Sequence, residues 1–321
     1  MNVLEEIEKK IESIKAIDES YYLEVILSHI KRAEHYYQEG KKDEAFFNDV
    51  IYRCNQAYEG ALKEAYQVLA NKNQEEVKSK TPNAIEKYFE ENGIFKDRVL
   101  QLFRNYRQEW RNKSTHDYKL TFDGGEAFIA LMSVTSFIYL LLNEIQEKVA
   151  YDKQENEIKS QDLISTKTRE IIGSKDKNPI EKLTKLLTYF STLDFSKNSK
   201  IPSSPETGFE LSGRLHAFLA SIDNIYVEQE PSTNSNRLLF RPDFVVKIDN
   251  VPIILEIKKT SVSKDIINNS LNQISRYMQA MEIDDGIIFI STNDDARKNT
   301  DTQVNINKID GKEFKITTIV C

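Results

Sequence analysis

The stretch Leu238–Thr260, LLFRPDFVVKIDNVPIILEIKKT, decides how the C-terminal part of the chain is read. Two β-branched runs, Leu238–Ile248 and Val251–Ile257, flank Asp249-Asn250, a pair that signals a tight hairpin turn. Strand side chains alternate between faces. Ile254, Glu256 and Lys258 therefore share one face of the second run, and Val251, Ile253, Leu255 and Ile257 share the other. Glu256 and Lys258 point together out of an otherwise apolar run, and antiparallel pairing through the turn brings Asp243 alongside. Two carboxylates at one sheet end form a hard oxygen site for Mg²⁺ or Mn²⁺. Lys258 beside such an ion either orients an attacking water or stabilises charge on a phosphate. The plainer reading of the same pattern is a solvent-facing strand with a Glu–Lys pair.

On either side of this stretch the pattern changes to helix. Phe209–Ile222 has helical spacing, and Ile266–Met281 is a second helix that sets Gln273 and Tyr277 four apart on one face. Asp284-Asp285-Gly286 leads into Ile287–Ile290, apolar enough for a strand buried on both faces, and Lys312–Val320 is expected as an edge strand. The order α-β-β-α-β predicts a small α/β domain over residues 201–321. Residues 151–200 read as a helical connector: polar and mixed in sign over 151–175, then a helix at Leu183–Phe195, with Pro202-Ser203-Ser204-Pro205 as punctuation.

Residues 1–150 predict an α-helical bundle. From Glu44 to Leu69 the apolar residues Val50, Ile51, Cys54, Ala57, Tyr58 and Ala61 continue an i, i+3, i+4, i+7 stripe, and an earlier helix carries Tyr22, Val25, Ile26, His29, Ile30 and Ala33 before Gly40. Thr81-Pro82-Asn83 starts a short helix that ends at Gly93, Asp97–Trp110 forms another, Gly124-Gly125 marks a loop, and Glu126–Val149 is a long apolar helix.

Composition bounds the function classes. The 321 residues suit two domains of roughly 100–200 residues each. With two cysteines, four histidines and no C-x-x-C, a disulfide framework and a structural zinc site are excluded, which points to a cytoplasmic setting. A net charge of −7 confines any nucleic-acid contact to a local basic cleft. The N-terminal MNVLEEIEKKIESI is charged and amphipathic, without a signal-peptide core, and Phe128–Leu142 falls short of the roughly 20 residues of a membrane span. A buried helix without membrane contact is expected there.

A second constellation, Arg111-Asn112-Lys113-Ser114-Thr115-His116-Asp117-Tyr118, lies where a long helix ends. Arg and His five apart near a helix terminus either belong to a solvated face or face one cleft, the latter an arrangement suited to metal-free RNA cleavage. His116 would take the proton from a ribose 2′-OH or return one to the leaving oxygen, and Arg111 would hold the phosphate and its charge. Asn112 would either bond the phosphate or orient the histidine.

Both constellations resemble known families. Arg111, His116 and Tyr118 match R-x4-H-x-Y, and with the helix YRCNQAYEGALKEAY upstream, residues 1–150 resemble HEPN domains, whose toxin members pair with nucleotidyltransferase antitoxins. That resemblance implies a homodimer that cuts RNA without metal, leaving 2′,3′-cyclic phosphate ends, with Arg111, Asn112 and His116 catalytic and Tyr118 a site of regulation by an antitoxin. Pro242-Asp243, Glu256 and Lys258 match P-D-x12-E-x-K, and residues 200–295 resemble the PD-(D/E)xK nuclease superfamily. Gln273-x-x-x-Tyr277 resembles a motif of its RecB-like branch, where these residues line the substrate cleft. The resemblance implies a restriction-endonuclease-like fold and a metal ligand on the leading helix, Glu210 first and Glu206 second. Arg237 and Arg241 are either phosphate contacts or exposed strand-end charges, and His216 either approaches the site or is a half-buried structural residue.

The expectation is thus a two-domain nuclease acting on RNA and DNA, with Mg²⁺ or Mn²⁺ at the C-terminal site alone, in anti-phage defence or a toxin-like system with a partner protein. Two alternatives stand beside it. In one the helical half only dimerises or binds a partner; in the other the C-terminal half only binds nucleic acid.

Overall fold

The computed structural model describes residues 2–18, 21–95, 97–112, 121–159, 162–174, 177–193, 207–235, 238–292, 300–309 and 311–321. The chain is mixed α and β, with two compact units, Met1–Val149 and Ala150–Cys321.

Among its described residues the first unit is helical: α1 (Val3–Ile17), α2 (Leu23–Gly40), α3 (Phe46–Leu69), α4 (Gln74–Lys78), α5 (Pro82–Glu91), α6 (Asp97–Tyr106), a π-helical turn (Arg107–Arg111) and the start of α7 (Gly124–Lys159). The α3 stripe is the spine: Val50, Ile51, Cys54, Ala57, Tyr58, Ala61 and Leu62 are all buried. The helix start expected at Thr81-Pro82 is present, with Thr81 Oγ1 accepting from Ala84 N and Pro82 in the first turn, where no amide donor is needed.

Gly124-Gly125 does not form the expected loop. Asp123 Oδ1 accepts from Glu126 N at 2.8 Å and Glu126 Oε2 accepts from Asp123 N at 3.1 Å, so this reciprocal cap starts α7 at Gly124. The glycine is required by packing. A methyl at Gly124 would lie 2.9 Å from Cζ of Phe47, and one at Gly40 would lie 2.5 Å from Cδ1 of the same ring. Phe47 is thus wedged between the end of α2 and the start of α7. By length and composition Gly124–Ile158 is long and apolar enough to cross a membrane, yet half of its most apolar stretch is buried within the protein. Ala127, Ala130, Val134, Phe137, Ile138 and Leu141 form that inward stripe.

The second unit holds the end of α7, α8 (Asp162–Ile172), α9 (Pro179–Thr192), α10 (Gly208–Ala220), β1 (Ile225–Gln229), β2 (Thr233–Ser235), β3 (Leu238–Phe240), β4 (Phe244–Ile248), β5 (Val251–Lys259), α11 (Lys264–Met281), β6 (Asp285–Ser291), β7 (Asp301–Ile309) and β8 (Lys312–Val320). The sheet order is β1-β4-β5-β6-β8-β7, with β2 and β3 as a separate ribbon. Strands β5, β6 and β8 run parallel, and α11 supplies the crossover from β5 to β6. On one sheet face Leu183, Leu187, Leu215 and Phe218 pack against Ile253 and Leu255; on the other Ile274 and Met278 of α11 pack against Ile254 and Ile288.

Other expectations change as well. The stretch expected as a connector carries Ile158, Ile164, Ile171, Leu183, Leu186 and Phe190, all buried in the second unit's core; their helical period was masked by polar neighbours. The run Leu238–Ile248 is two strands, β3 in the separate ribbon and β4 in the sheet, divided at Arg241-Pro242-Asp243. Lys312–Val320 is interior, paired on both sides by β6 and β7. Strands β1 and β7 were not foreseen: IYVEQ and DTQVNINKI hold too many polar residues for a buried-strand signal, and both lie at sheet edges.

Because Phe47 has a glycine on each side, Gly40→Ala should destabilise the first unit by roughly 1–3 kcal/mol. Urea unfolding followed by the emission of Trp110, the sole tryptophan, checks this within that unit. An unchanged midpoint would show that the ring has room to shift.

Candidate functional site

The β4–β5 hairpin builds the site. Asp249 and Asn250 have φ of 52° and 65°, the left-handed geometry that a two-residue turn between twisted strands demands. That turn sets Ile248 opposite Val251 and Phe244 opposite Leu255, so the next step of the ladder brings Asp243 to Glu256. Ile257 N donates to Asp243 Oδ2 at 2.7 Å, and Asp243 N approaches Glu256 Oε2 at 3.4 Å.

The second wall is α11. Gly286 on β6 lets it close in, since a methyl there would lie 2.7 Å from Met278 Sδ. Gln273 Nε2 consequently reaches Glu256 Oε1 at 2.8 Å and the Tyr277 hydroxyl at 2.8 Å, while Lys258 Nζ donates to Glu256 Oε1 at 2.8 Å. The Phe240 ring meets Tyr277 edge-on at 6.3 Å. Residue spacing alone did not single out Phe240, and its place in the apolar run just before Asp243 was the available signal.

Glu256 is only 2% exposed. Burial, reinforced by the Asp243 carboxylate, pushes its pKa up to about 7 against the opposing pull of Lys258. Burial likewise raises the Tyr277 phenol, keeping it a proton-bearing donor. Two adjoining carboxylates that resist ionising together, with an ammonium beside them, suit a divalent cation, which would relieve their repulsion. The Arg241 Nε is buried without a hydrogen-bond partner among the described residues, a donor that a phosphate oxygen can satisfy.

Asp243, Glu256, Lys258, Gln273 and Tyr277 are therefore brought together. Glu210 is engaged otherwise: it closes a reciprocal cap on α10, with Thr207 N donating to its Oε2 at 2.7 Å. The start of α10 lies beside the end of β5, since a methyl at Gly208 would lie 3.8 Å from Lys259 Cβ. Among the described residues no group of three or more His, Cys, Asp or Glu side chains is placed to hold a metal, so Glu210 does not join Asp243 and Glu256 in such a set. A cation held by the two carboxylates would complete its shell with water, backbone or substrate oxygens. His216 packs between Tyr151 and Phe244, at 5.0 and 5.5 Å, on the sheet face that α10 covers, and burial lowers its pKa. Glu206 and Arg237 lie outside the described residues.

In the first unit, the helix expected over Asp97–Trp110 passes into the π-helical turn, whose extra residue re-aims the side chains that follow. Arg107 pairs with the buried Glu86 at 2.6 Å, and Arg111 Nη2 lies 3.6 Å from Glu59 Oε2 on α3. Asn112 ends the turn with its N–H on Arg107 O. His116 and Tyr118 lie outside the described residues.

Comparison of the chain with protein-family models, curated proteins and solved structures finds no match. The reading of function therefore stands on residues and geometry.

Glu256 makes the metal-free protein sensitive to pH. An exposed unfolded glutamate titrates near 4.3, so between about pH 4.5 and 7 the folded state holds a proton that the unfolded state has lost. Stability contributed at this residue is present at lower pH and is lost as pH rises through that window. Relative to Glu256→Gln, the parent should lose roughly 2–3 kcal/mol from pH 4.5 to 8 in EDTA. Parallel stability curves from denaturant unfolding would count against a buried, proton-holding Glu256.

Proposed function

We propose that the second unit is a divalent-cation-dependent phosphodiesterase acting on DNA. The observation that carries the reading is the gathering of Asp243, Glu256, Lys258 and Gln273 around one buried carboxylate at a sheet end. Asp243 and Glu256 would hold Mg²⁺ or Mn²⁺, which when bound supplies a Lewis acid for a phosphoryl oxygen and acidifies a water. Lys258 Nζ holds Glu256 Oε1 in the resting site, with 26% of its side chain exposed, and is positioned to steer a water or to offset phosphate charge. Gln273 keeps the Glu256 oxygen oriented and links it to Tyr277, and Arg241 receives the phosphate.

For the first unit the proposal is a metal-independent ribonuclease built on Arg111, Asn112 and His116 in a homodimer, with Tyr118 open to control by a partner. The π-helical turn supports this reading, because such turns frequently mark functional sites and Arg111 sits on it. A role in anti-phage defence or a toxin-like system is proposed from the resemblance of both motifs to families used there.

The two sites should separate cleanly in assay. Asp243→Ala and Lys258→Ala should each abolish Mg²⁺-dependent DNA cleavage, while EDTA-resistant RNA cleavage continues. His116→Ala should lower RNA cleavage by about 10²–10⁴-fold and leave DNA cleavage intact. DNA cleavage undiminished in both C-terminal variants would remove the metal-site proposal. RNA cleavage that needs Mg²⁺ and survives His116→Ala would leave the helical unit as a binding module.

A further inference from the structure

Outside both motifs, α2 and α3 flank an open cleft of about 480 Å³ lined by Ser28, His29, Lys31, Arg32, His35 and Arg53. Ser28, Lys31, Arg32 and His35 follow i, i+3, i+4, i+7 and so form one polar stripe on α2. The buried face of the same helix is made by Leu23, Ile26, Leu27, Ile30 and Ala33. Every titratable side chain lining the cleft is basic, in a chain whose net charge is −7.

The charges are only partly balanced. Lys31 pairs with Glu8 at 2.7 Å. Among the described residues no carboxylate lies within ion-pair distance of Arg32 or Arg53. Arg32 lies over the Tyr36 ring at 5.3 Å and Arg53 over the Tyr52 ring at 5.8 Å, contacts that orient both guanidinium groups without neutralising them. Arg53 Nη1 donates to Gln56 Oε1 at 2.8 Å and lies 3.5 Å from His29 Nδ1, yet its Nε is buried with no acceptor among the described residues. A solvated helix face explains Lys31 and His35. It does not explain a concave site with a buried, unmet guanidinium donor from the neighbouring helix.

We infer that this α2–α3 cleft is a binding site for a phosphate-chain anion, with Arg32 and Arg53 as its principal contacts. A carboxylate offers two oxygens and fills one arginine fork, whereas the two guanidinium groups of Arg32 and Arg53, neither paired with a carboxylate among the described residues, suit the several oxygens and multiple charges of linked phosphates. Burial and, after it, the nearby Arg53 cation lower the His29 pKa, and an anion seated against both groups would offset the Arg53 part of that shift. The phosphates can belong to a free polyphosphate or to an RNA backbone. The site is independent of the nuclease reading, since it uses none of those residues.

Calorimetric titration of the 321-residue chain with tripolyphosphate and, separately, with oligouridylate tests this. Saturable binding of tripolyphosphate identifies a free polyphosphate, and binding of oligouridylate alone identifies a backbone. Arg32→Glu, at an exposed position, and Arg53→Gln should each weaken binding of the effective probe at least about tenfold, since each removes a charge-assisted contact. Lys87→Glu makes the same charge change on α5 and should keep parental affinity. Thermal melting of Arg32→Glu should match the parent, so that variant decides the matter if Arg53→Gln folds poorly. Absence of saturable binding by either probe overturns the site. So does parental affinity in Arg32→Glu, or an equal loss in Lys87→Glu, which would reduce the attraction to net charge.

Discussion

The second unit is organised around a carboxylate held almost out of water. Removing Glu256 from solvent costs several kcal/mol unless partners replace the lost hydration. Those partners come from three places: Lys258 two residues on, Gln273 across from α11, and the Asp243 backbone from the preceding strand. Their convergence depends on the two-residue turn and on the close approach of α11 that Gly286 permits. A register slip of one residue would carry Glu256 to the other face, among Leu215 and Phe218, where none of these partners lies. The apolar core and the polar cluster thus select the same register.

A similar economy governs the first unit. Glu86 is buried beneath α5, where the Tyr58 hydroxyl donates to it and Arg107 pairs with it. Burial raises its pKa, and the tyrosine and arginine oppose that shift. The same buried knot anchors the start of the π-helical turn, and four residues later the turn delivers Arg111 toward Glu59. Packing reinforces it, with Tyr58 against Tyr106 at 4.7 Å and against Phe137 at 5.1 Å. Arg111 thus belongs to the same charge network, its cation also acting on Glu86 and Tyr58.

Much of this was legible in the residue pattern because its signals are local. The 3.6-residue period of α3 and the two-residue period of β5 each reported a face, and Asp249-Asn250 reported a turn. Alternation along β5 also announced that Glu256 and Lys258 point together, since that follows from strand geometry alone. The mixed α and β class, the helical first half and the approach of Asp243 to Glu256 could be reached by such reasoning, whereas the place of Gln273 beside them was suggested only by the motif resemblance. What it could not supply was burial. The same alternation permits a solvated Glu–Lys pair, and only the approach of α11 makes Glu256 a 2% exposed group with a displaced pKa.

Tertiary structure decided the features that depend on partners distant in sequence. Gly124 looked like a loop because glycine is a weak helix former, yet the Asp123–Glu126 cap and the Phe47 ring place it in a helix. Residues 151–200 looked like a connector because their polar content hid a stripe that gains meaning only against α10 and the sheet. Strand β8 looked like an edge because its second neighbour, β7, is too polar to announce itself. Glu210 was expected as a ligand, and the fold adds what the sequence did not show, a bond from Thr207 N to its Oε2 at its own helix N-terminus. The cationic cleft was invisible along the chain because Arg53 lies on a different helix from Arg32. Local periodicity is encoded within a few residues and can be read there, whereas burial, pairing and charge balance are properties of surfaces that meet only when the chain has folded.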